Sequence, residues 1–222
     1  MNNRIVKLII SIFVFVAITT SVASINFATK QTDRQILNQL VRKYGVTDDS
    51  SFYTWNKNNT KLLSISWVEQ GIQGKVNLNK LRNLRRINVE GNEITSLNIS
   101  NLKKLSSLNF SGNLVKSIKI NSGNLVNLNC SSNQLKTLDL KKTTKLKTLN
   151  CSSNNLKSLN LNSLKKLTTL NCSKNKLRAL NFKKVVELKY LDCVENNFVA
   201  LDLSKQLFLE TLLCDDEVTV IR

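Results

Sequence analysis

The sequence predicts a solenoid of the α/β class, mostly β, in which coils of about 21 residues stack around one shared core. Its five cysteines, the only ones in the chain, are spaced 21 residues apart: Cys130, Cys151, Cys172, Cys193 and Cys214. An apolar pattern repeats with the same period. One coil has too few residues to enclose a core, so several must stack, each adding one strand to a parallel sheet on the concave face.

The repeated pattern is clearest in residues 146–156, LKTLNCSSNNL, and 167–177, LTTLNCSKNKL, which both fit L-x-x-L-x-C-x-x-N-x-L. This resembles the leucine-rich repeat, whose signature has leucine at the cysteine position. The first leucine of the frame occurs at Leu62, Leu84, Leu105, Leu125, Leu146, Leu167, Leu188 and Leu209. We therefore predict a leucine-rich repeat solenoid of eight coils over residues 62–214. The short period leaves little room for helices, so turns and extended chain should form the convex face.

The cysteine position is predicted to point into the core, because the earlier coils carry Trp67, Val89 and Phe110 there. Cysteine would then act as a small hydrophobe in a buried structural ladder. Stacked side chains run parallel, five thiols cannot all pair, and the chain contains no histidine, so disulfides and zinc are disfavoured. Some disulfide content, or a redox or metal role, are the alternatives.

A second ladder is predicted from an asparagine that recurs three residues after the cysteine position. Its members are Asn92, Asn113, Asn133, Asn154, Asn175 and Asn196. A buried amide can hydrogen-bond backbone groups of its own coil and of the neighbouring coils. We therefore expect a structural role for these residues rather than a role in binding a ligand.

The cysteine ladder also resembles the internalin-type repeats of bacterial surface proteins, in the branch where cysteine replaces an inward leucine coil after coil. The resemblance implies an exported bacterial protein that binds partners through its concave face. It does not identify a partner, since contact residues vary among proteins that share this framework.

The first residues of the chain indicate export. Residues 1–24 combine Arg4 and Lys7 with an apolar run and then small residues, with cleavage expected after Ala23 or Ser24. This pattern is typical of a signal peptide, or of a signal anchor where cleavage fails. We therefore expect a secreted, extracellular or periplasmic protein, or a membrane-anchored one if the signal is retained.

Caps are predicted on both sides of the repeats. Residues 25–61 should form an N-terminal cap, in which 32–45 is a helix that begins with a capping box of Thr32 and Gln35 and stops at a glycine. Residues 215–222 should add a C-terminal closing strand.

The residues that flank the inward leucine and cysteine should face the concave side, because side chains alternate along a strand. In the central coils they are mostly Ser, Thr and Asn, a flat array that offers little binding energy. The coils towards the ends differ, and their residues are the predicted contacts: Arg86, Asn88 and Glu90 at one end, and Tyr190, Asp192, Val194 and Leu213 at the other. Tyrosine beside apolar residues is typical of binding hot spots. The alternative is that late coils simply diverge, with Leu213 packed under a cap.

The formal net charge of +18 favours anionic partners, and most lysines lie outside the concave positions. An anionic envelope polymer and an acidic membrane surface are candidate partners, and a merely solvated surface is the alternative. Nucleic acid is disfavoured because the basic segments lack interleaved aromatic residues.

Enzyme chemistry is disfavoured as well. The chain has no histidine and no phosphate-cradling glycine loop, and its thiols are expected to be buried without a base beside them. We predict a monomeric, exported recognition module, without cofactor or metal, that binds a protein or glycan partner. The alternatives are a basic scaffold for anionic polymer and a structural or antigenic repeat protein without a dedicated ligand.

Overall fold

The computed structural model describes residues 31–222. The export signal predicted for residues 1–24 lies outside the described residues. Within residues 31–222, no helix is both long and apolar enough to cross a bilayer. From Thr32 to Arg222 the chain forms one compact unit.

Thirteen short strands and one α-helix make up this unit. The helix, α1, spans Asp33–Tyr44, and a 3₁₀ turn follows at Ser50–Phe52. In chain order the strands are β1 Tyr53–Trp55, β2 Leu62–Ser66, β3 Gln73–Asn77, β4 Arg86–Asn88, β5 Glu93–Asn98, β6 Ser107–Asn109, β7 Asn127–Asn129, β8 Thr148–Asn150, β9 Thr169–Asn171, β10 Tyr190–Asp192, β11 Ala200–Asp202, β12 Thr211–Leu213 and β13 Thr219–Ile221.

The concave face is a nine-stranded sheet with the order β1-β2-β4-β6-β7-β8-β9-β10-β12. Strand β1 pairs antiparallel with β2, and the other neighbours are parallel. The eight parallel strands of this sheet each belong to one coil of the predicted frame: β2, β4, β6, β7, β8, β9, β10 and β12. Eight coils and a parallel concave sheet are therefore confirmed.

The core lies between this sheet and the convex chain, and identical coil positions stack within it. Leu149, for example, is in register with Leu128 on one side and Leu170 on the other. All three leucines are buried, as are Cys130 and Cys151. Full burial of a leucine is worth about 2 kcal/mol, so stacking supplies the stability that a single coil lacks.

The convex face is made of turns and extended chain, as the short period predicts. Two small parallel sheets lie there, β3 with β5 and β11 with β13. The strand expected near the end of the chain is β13, and its pairing with β11 through Leu201 and Val220 places it on the convex side. It therefore continues the convex wall instead of closing the concave sheet.

Helix α1 packs against the first coil and begins with the capping box that the sequence indicates. The Thr32 hydroxyl accepts the Gln35 N–H at 3.2 Å, and the Gln35 side chain accepts the Thr32 N–H at 2.9 Å. The helix ends at Gly45, which has a left-handed backbone with φ of 65°. Its buried face packs on the core, and Tyr44 meets the buried Trp67 edge to face with ring centroids 6.3 Å apart.

Each of the first seven coils turns out of its concave strand through a left-handed residue, four positions after the inward leucine or isoleucine of that strand. These residues are Glu69, Gly91, Gly112, Ser132, Ser153, Lys174 and Glu195, with φ between 52° and 66°. The conformation costs a residue with a side chain about 1 kcal/mol. Hydrogen bonds between coils offset this strain, as where the Ser153 N–H donates to the Ser173 carbonyl at 2.9 Å.

The asparagine ladder holds these turns in register. The Asn154 amide donates to the carbonyls of Cys130, in the previous coil, and Cys151, in its own, at 2.9 and 3.2 Å. Its Oδ1 accepts the Leu135 N–H at 2.9 Å. The other five members repeat this arrangement. Each amide thus satisfies buried backbone groups in two coils.

We predict that Asn154→Ala lowers the free energy of unfolding by about 2 kcal/mol. The change leaves the buried Leu135 N–H without a partner and takes one of two amide donors from each of the Cys130 and Cys151 carbonyls. The neighbouring half-buried Asn155 is the control, since its side chain makes no hydrogen bond among the described residues. Asn155→Ala should change stability by less than about 0.5 kcal/mol. Urea titrations followed by circular dichroism measure both, and equal losses would contradict a bridging role for Asn154.

Candidate functional site

The centre of the concave face is a polar surface that is already hydrogen-bonded to itself. In four coils the strand ends with an asparagine whose Oδ1 accepts both the N–H and the hydroxyl of the serine two residues later: Asn109 with Ser111, Asn129 with Ser131, Asn150 with Ser152 and Asn171 with Ser173. The hydroxyl contacts are 2.7–2.8 Å long. A ligand would therefore have to compete with existing bonds for these groups.

An apolar patch breaks this surface at its C-terminal end. Tyr190 is half-buried and stands in register with Thr211, and Val194 is half-buried two residues beyond strand β10. Leu213 is 44% exposed, so no cap covers it among the described residues. We call Tyr190, Val194 and Leu213 the concave patch.

Asp192 lies beneath this patch and is only 9% exposed, although its position in the repeat suggested a contact residue. Its carboxylate accepts the Asn171 amide at 2.9 Å and the Val194 N–H at 3.4 Å. Strand β12 places Leu213 directly beside it. Asp192 therefore occupies the last position in the row of strand asparagines. Its carboxylate holds Asn171 and Val194 in place and is largely hidden from a ligand.

The predicted contacts at the N-terminal end are more dispersed. The Glu90 carboxylate accepts the Asn109 amide at 2.8 Å, and the Asn88 side chain accepts the Glu90 N–H at 3.2 Å. Arg86 is exposed, and among residues 31–222 it forms no ion pair. These three residues form a polar surface without an apolar anchor.

The cysteines form a stack of free thiols, of which four are buried and Cys214 is half-buried. Burial raises the pKa of Cys130 and of Cys193 to about 12, and it raises those of Cys151 and Cys172 well above their ordinary value. At neutral pH these thiols stay protonated and are poor nucleophiles. Within the described part of the chain, no group of three or more acidic or cysteine side chains is arranged to hold a metal ion.

Residues missed by the sequence argument lie on the last coil. Leu207 is 86% exposed and Phe208 is 62% exposed, beside a surface groove of about 310 Å³ lined by Gln206, Leu209 and Leu212 among others. A signal was present, because most earlier coils carry lysine or arginine at one or both of the positions equivalent to Leu207 and Phe208. Three other grooves, of about 160 to 280 Å³, lie on the convex side and beside α1.

Solved structures with the same coil architecture resemble this chain. Internalin C2 from Listeria monocytogenes is 18% identical, with 82% of this chain and 91% of that one covered and a TM-score of 0.57. The leucine-rich-repeat ectodomain of the receptor kinase GASSHO1/SCHENGEN3 from Arabidopsis thaliana is 22% identical, covering 67% and 20%, with a TM-score of 0.59. The chain has the leucine-rich-repeat fold.

A functional domain of InlJ from Listeria monocytogenes, which includes a cysteine ladder, is also among the similar solved structures. It is 19% identical, covering 69% of this chain and 53% of that domain, with a TM-score of 0.36. This chain spans about half the length of that domain and a smaller part of the plant ectodomain. No protein-family model and no curated protein matches the sequence.

We predict that the buried thiols make this leucine-rich-repeat protein less stable at high pH. In the unfolded chain a thiol ionises near pH 9 and in the fold near pH 12 for Cys130, so the stability it contributes is complete below pH 9 and is lost above it. At pH 10 one such thiol should cost about 1.4 kcal/mol.

The control is Cys130→Val, which places at this position the residue that the coil at Val89 already uses. Urea titrations at pH 8 and pH 10 should show a smaller pH-dependent loss for Cys130→Val than for the unchanged protein. The same loss in both would mean that Cys130 does not titrate on unfolding.

Proposed function

We propose that this protein is an exported, non-enzymatic recognition module that binds a protein partner on its concave face. The concave patch is the observation that carries this proposal. Tyr190, Val194 and Leu213 place apolar surface beside a tyrosine, on a rigid sheet whose other concave positions are mostly small and polar. Aromatic and apolar anchors of this kind supply most of the energy in protein interfaces.

The geometry around the patch favours a protein over a glycan as the partner. The oxygens of the strand asparagines already accept the hydroxyl groups of the serines beyond them, so a sugar would have to share or displace these bonds. Exposed leucine and tyrosine, in contrast, suit an apolar side chain on a protein. The plant ectodomain of the same fold was solved in complex with Casparian strip integrity factor 2, which supports a binding role without identifying a partner for this chain.

The binding proposal predicts that Tyr190→Ala combined with Leu213→Ser abolishes capture of the partner, because the change removes both anchors. Purified protein would be immobilised and exposed to extracts of host cells and of bacterial envelopes, in physiological and in high salt. The control is Thr148→Ala combined with Thr169→Ala, which alters the same face on strands three and two positions before the strand of Leu213 in the sheet order.

A partner retained in high salt by the unchanged protein and by the threonine variant, and lost by the Tyr190/Leu213 variant, is the expected result. Two results would contradict an anchor at the concave patch. One is unchanged capture of the partner by the Tyr190/Leu213 variant, and the other is an equal loss of capture by the threonine variant.

Export is the second part of the proposal, and it is supported by the charged, apolar and small-residue segments of residues 1–24. We predict that a bacterial host producing the full chain releases protein that begins at Ser24 or Ile25, as measured by intact mass. A chain lacking residues 2–24 is the control and should stay in the cytoplasm. Recovery of the full-length mass in the cytoplasmic fraction would contradict export, and recovery in the membrane fraction would indicate a retained anchor.

A further inference from the structure

The most one-sided charge in the molecule lies along one lateral edge of the solenoid. Six seven-residue segments each precede one of the strands β4, β6, β7, β8, β9 and β10. Together they carry fourteen lysines and arginines against one acidic residue, Glu187. We call these segments the lysine edge; they are residues 79–85, 100–106, 120–126, 141–147, 162–168 and 183–189.

Contacts between coils hold individual lysines of the lysine edge in place. The Lys104 Nζ donates to the Asn83 Oδ1 of the previous coil at 3.0 Å, and Lys145 makes the same contact with Asn124 at 2.9 Å. Backbone bonds one residue further on, such as that from the Ser106 N–H to the Arg85 carbonyl at 2.8 Å, fix the register. With about 4.8 Å between neighbouring strands, the edge is about 25 Å long.

The opposite lateral edge does not share this charge. The segments that follow the concave strands, from 67–72 to 193–198, contain two lysines and four glutamates. One of those lysines, Lys174, is paired with Glu195 at 3.3 Å. The two lateral edges of the solenoid therefore differ in charge.

Within residues 31–222 the lysine edge is almost without ion pairs of its own. The only one is between Lys189 and Glu210, at 3.0 Å, at its C-terminal end. Rows of exposed ammonium groups this close together repel one another, and an anion lying along them removes that repulsion. Basic side chains occur in five of the six segments, with none in 120–126, and this distribution along one edge matches a ligand that is itself linear and repeatedly charged.

The side chains on the lysine edge also indicate which part of such a ligand is recognised. Lysine ammonium groups bind phosphate as point charges at the end of flexible stems. The six segments contain no aromatic residue, so they offer nothing on which a nucleobase could stack. The surface is therefore suited to a chain of phosphates and not to a base sequence.

We propose that the lysine edge binds an extended, phosphate-bearing polyanion lengthwise, at a site separate from the concave patch. Such a chain occurs as a phosphodiester polymer of the cell envelope, as inorganic polyphosphate, or as the backbone of a single-stranded nucleic acid. Binding rests on the stacked charges alone and does not require a partner at Tyr190 and Leu213.

The experiment compares two variants that lose the same charge from different faces. In the edge variant, four lysines from three coils of the lysine edge are neutralised: Lys103→Gln, Lys104→Gln, Lys145→Gln and Lys166→Gln. In the matched control, an exposed convex row loses the same four charges: Lys116→Gln, Lys136→Gln, Lys157→Gln and Arg178→Gln. Binding of fluorescent inorganic polyphosphate to the purified protein is measured by anisotropy between 50 and 300 mM salt, with thermal melting to confirm that both variants fold.

The edge variant should bind at least tenfold more weakly, with the slope of log affinity against log salt reduced by about 3. The convex variant should change affinity less than threefold, and the Tyr190/Leu213 variant should bind polyphosphate unchanged. Equal losses in the edge and convex variants would overturn the proposal in favour of non-specific attraction, and so would the absence of binding at 50 mM salt.

Two further probes identify the source of the phosphate chain. A glycerol-phosphate polymer that binds in an edge-dependent way while oligothymidylate does not would support the proposal with an envelope polymer as the ligand. Equal, edge-dependent binding of both would support it with any phosphodiester backbone. Equally tight binding of polyglutamate would contradict recognition of phosphate.

Discussion

The buried asparagine amide, shared between coils, is the interaction on which the rest of the structure depends. Leucines alone would hold stacked coils together but would allow them to slide, since apolar contacts have no direction. An amide such as Asn133 donates to the carbonyls of Phe110 and Cys130 and accepts the Val115 N–H, so only one alignment satisfies all of these groups. Buried backbone groups left unpaired by any slip would be costly.

Strict register makes every surface position part of a row, and the rows explain both proposed binding surfaces. A lysine before one strand stands beside the corresponding residue of the next coil, so the lysines of separate coils collect along one edge. The asparagine–serine pairs stack in the same way and form a polar surface whose side chains are hydrogen-bonded to one another. Against that background a few departures, at Tyr190 and Leu213, are enough to create a distinct patch.

Most of the fold could be predicted from the sequence because the period repeats many times. An incorrect alignment of the repeat would place polar residues at core positions in coil after coil. The capping box at Thr32 was equally readable, since it depends only on local chemistry. The burial of Asp192 was not, because it follows from Asn171 reaching across from the neighbouring strand. The convex placement of β13 was also out of reach, since strand pairing is decided between coils and leaves no mark in the short segment 219–221.

The equivalence of neighbouring strands has a consequence for how such a molecule can vary in length. Leu128, Leu149 and Leu170 occupy one stacked file, so the surface that β7 offers to β8 is the same as the surface that β8 offers to β9. Removing or adding one whole period there joins matching surfaces, whereas any other number of residues displaces every leucine from its file. The length of the solenoid can therefore change only in steps of one coil, and the length of the lysine edge changes by the same step.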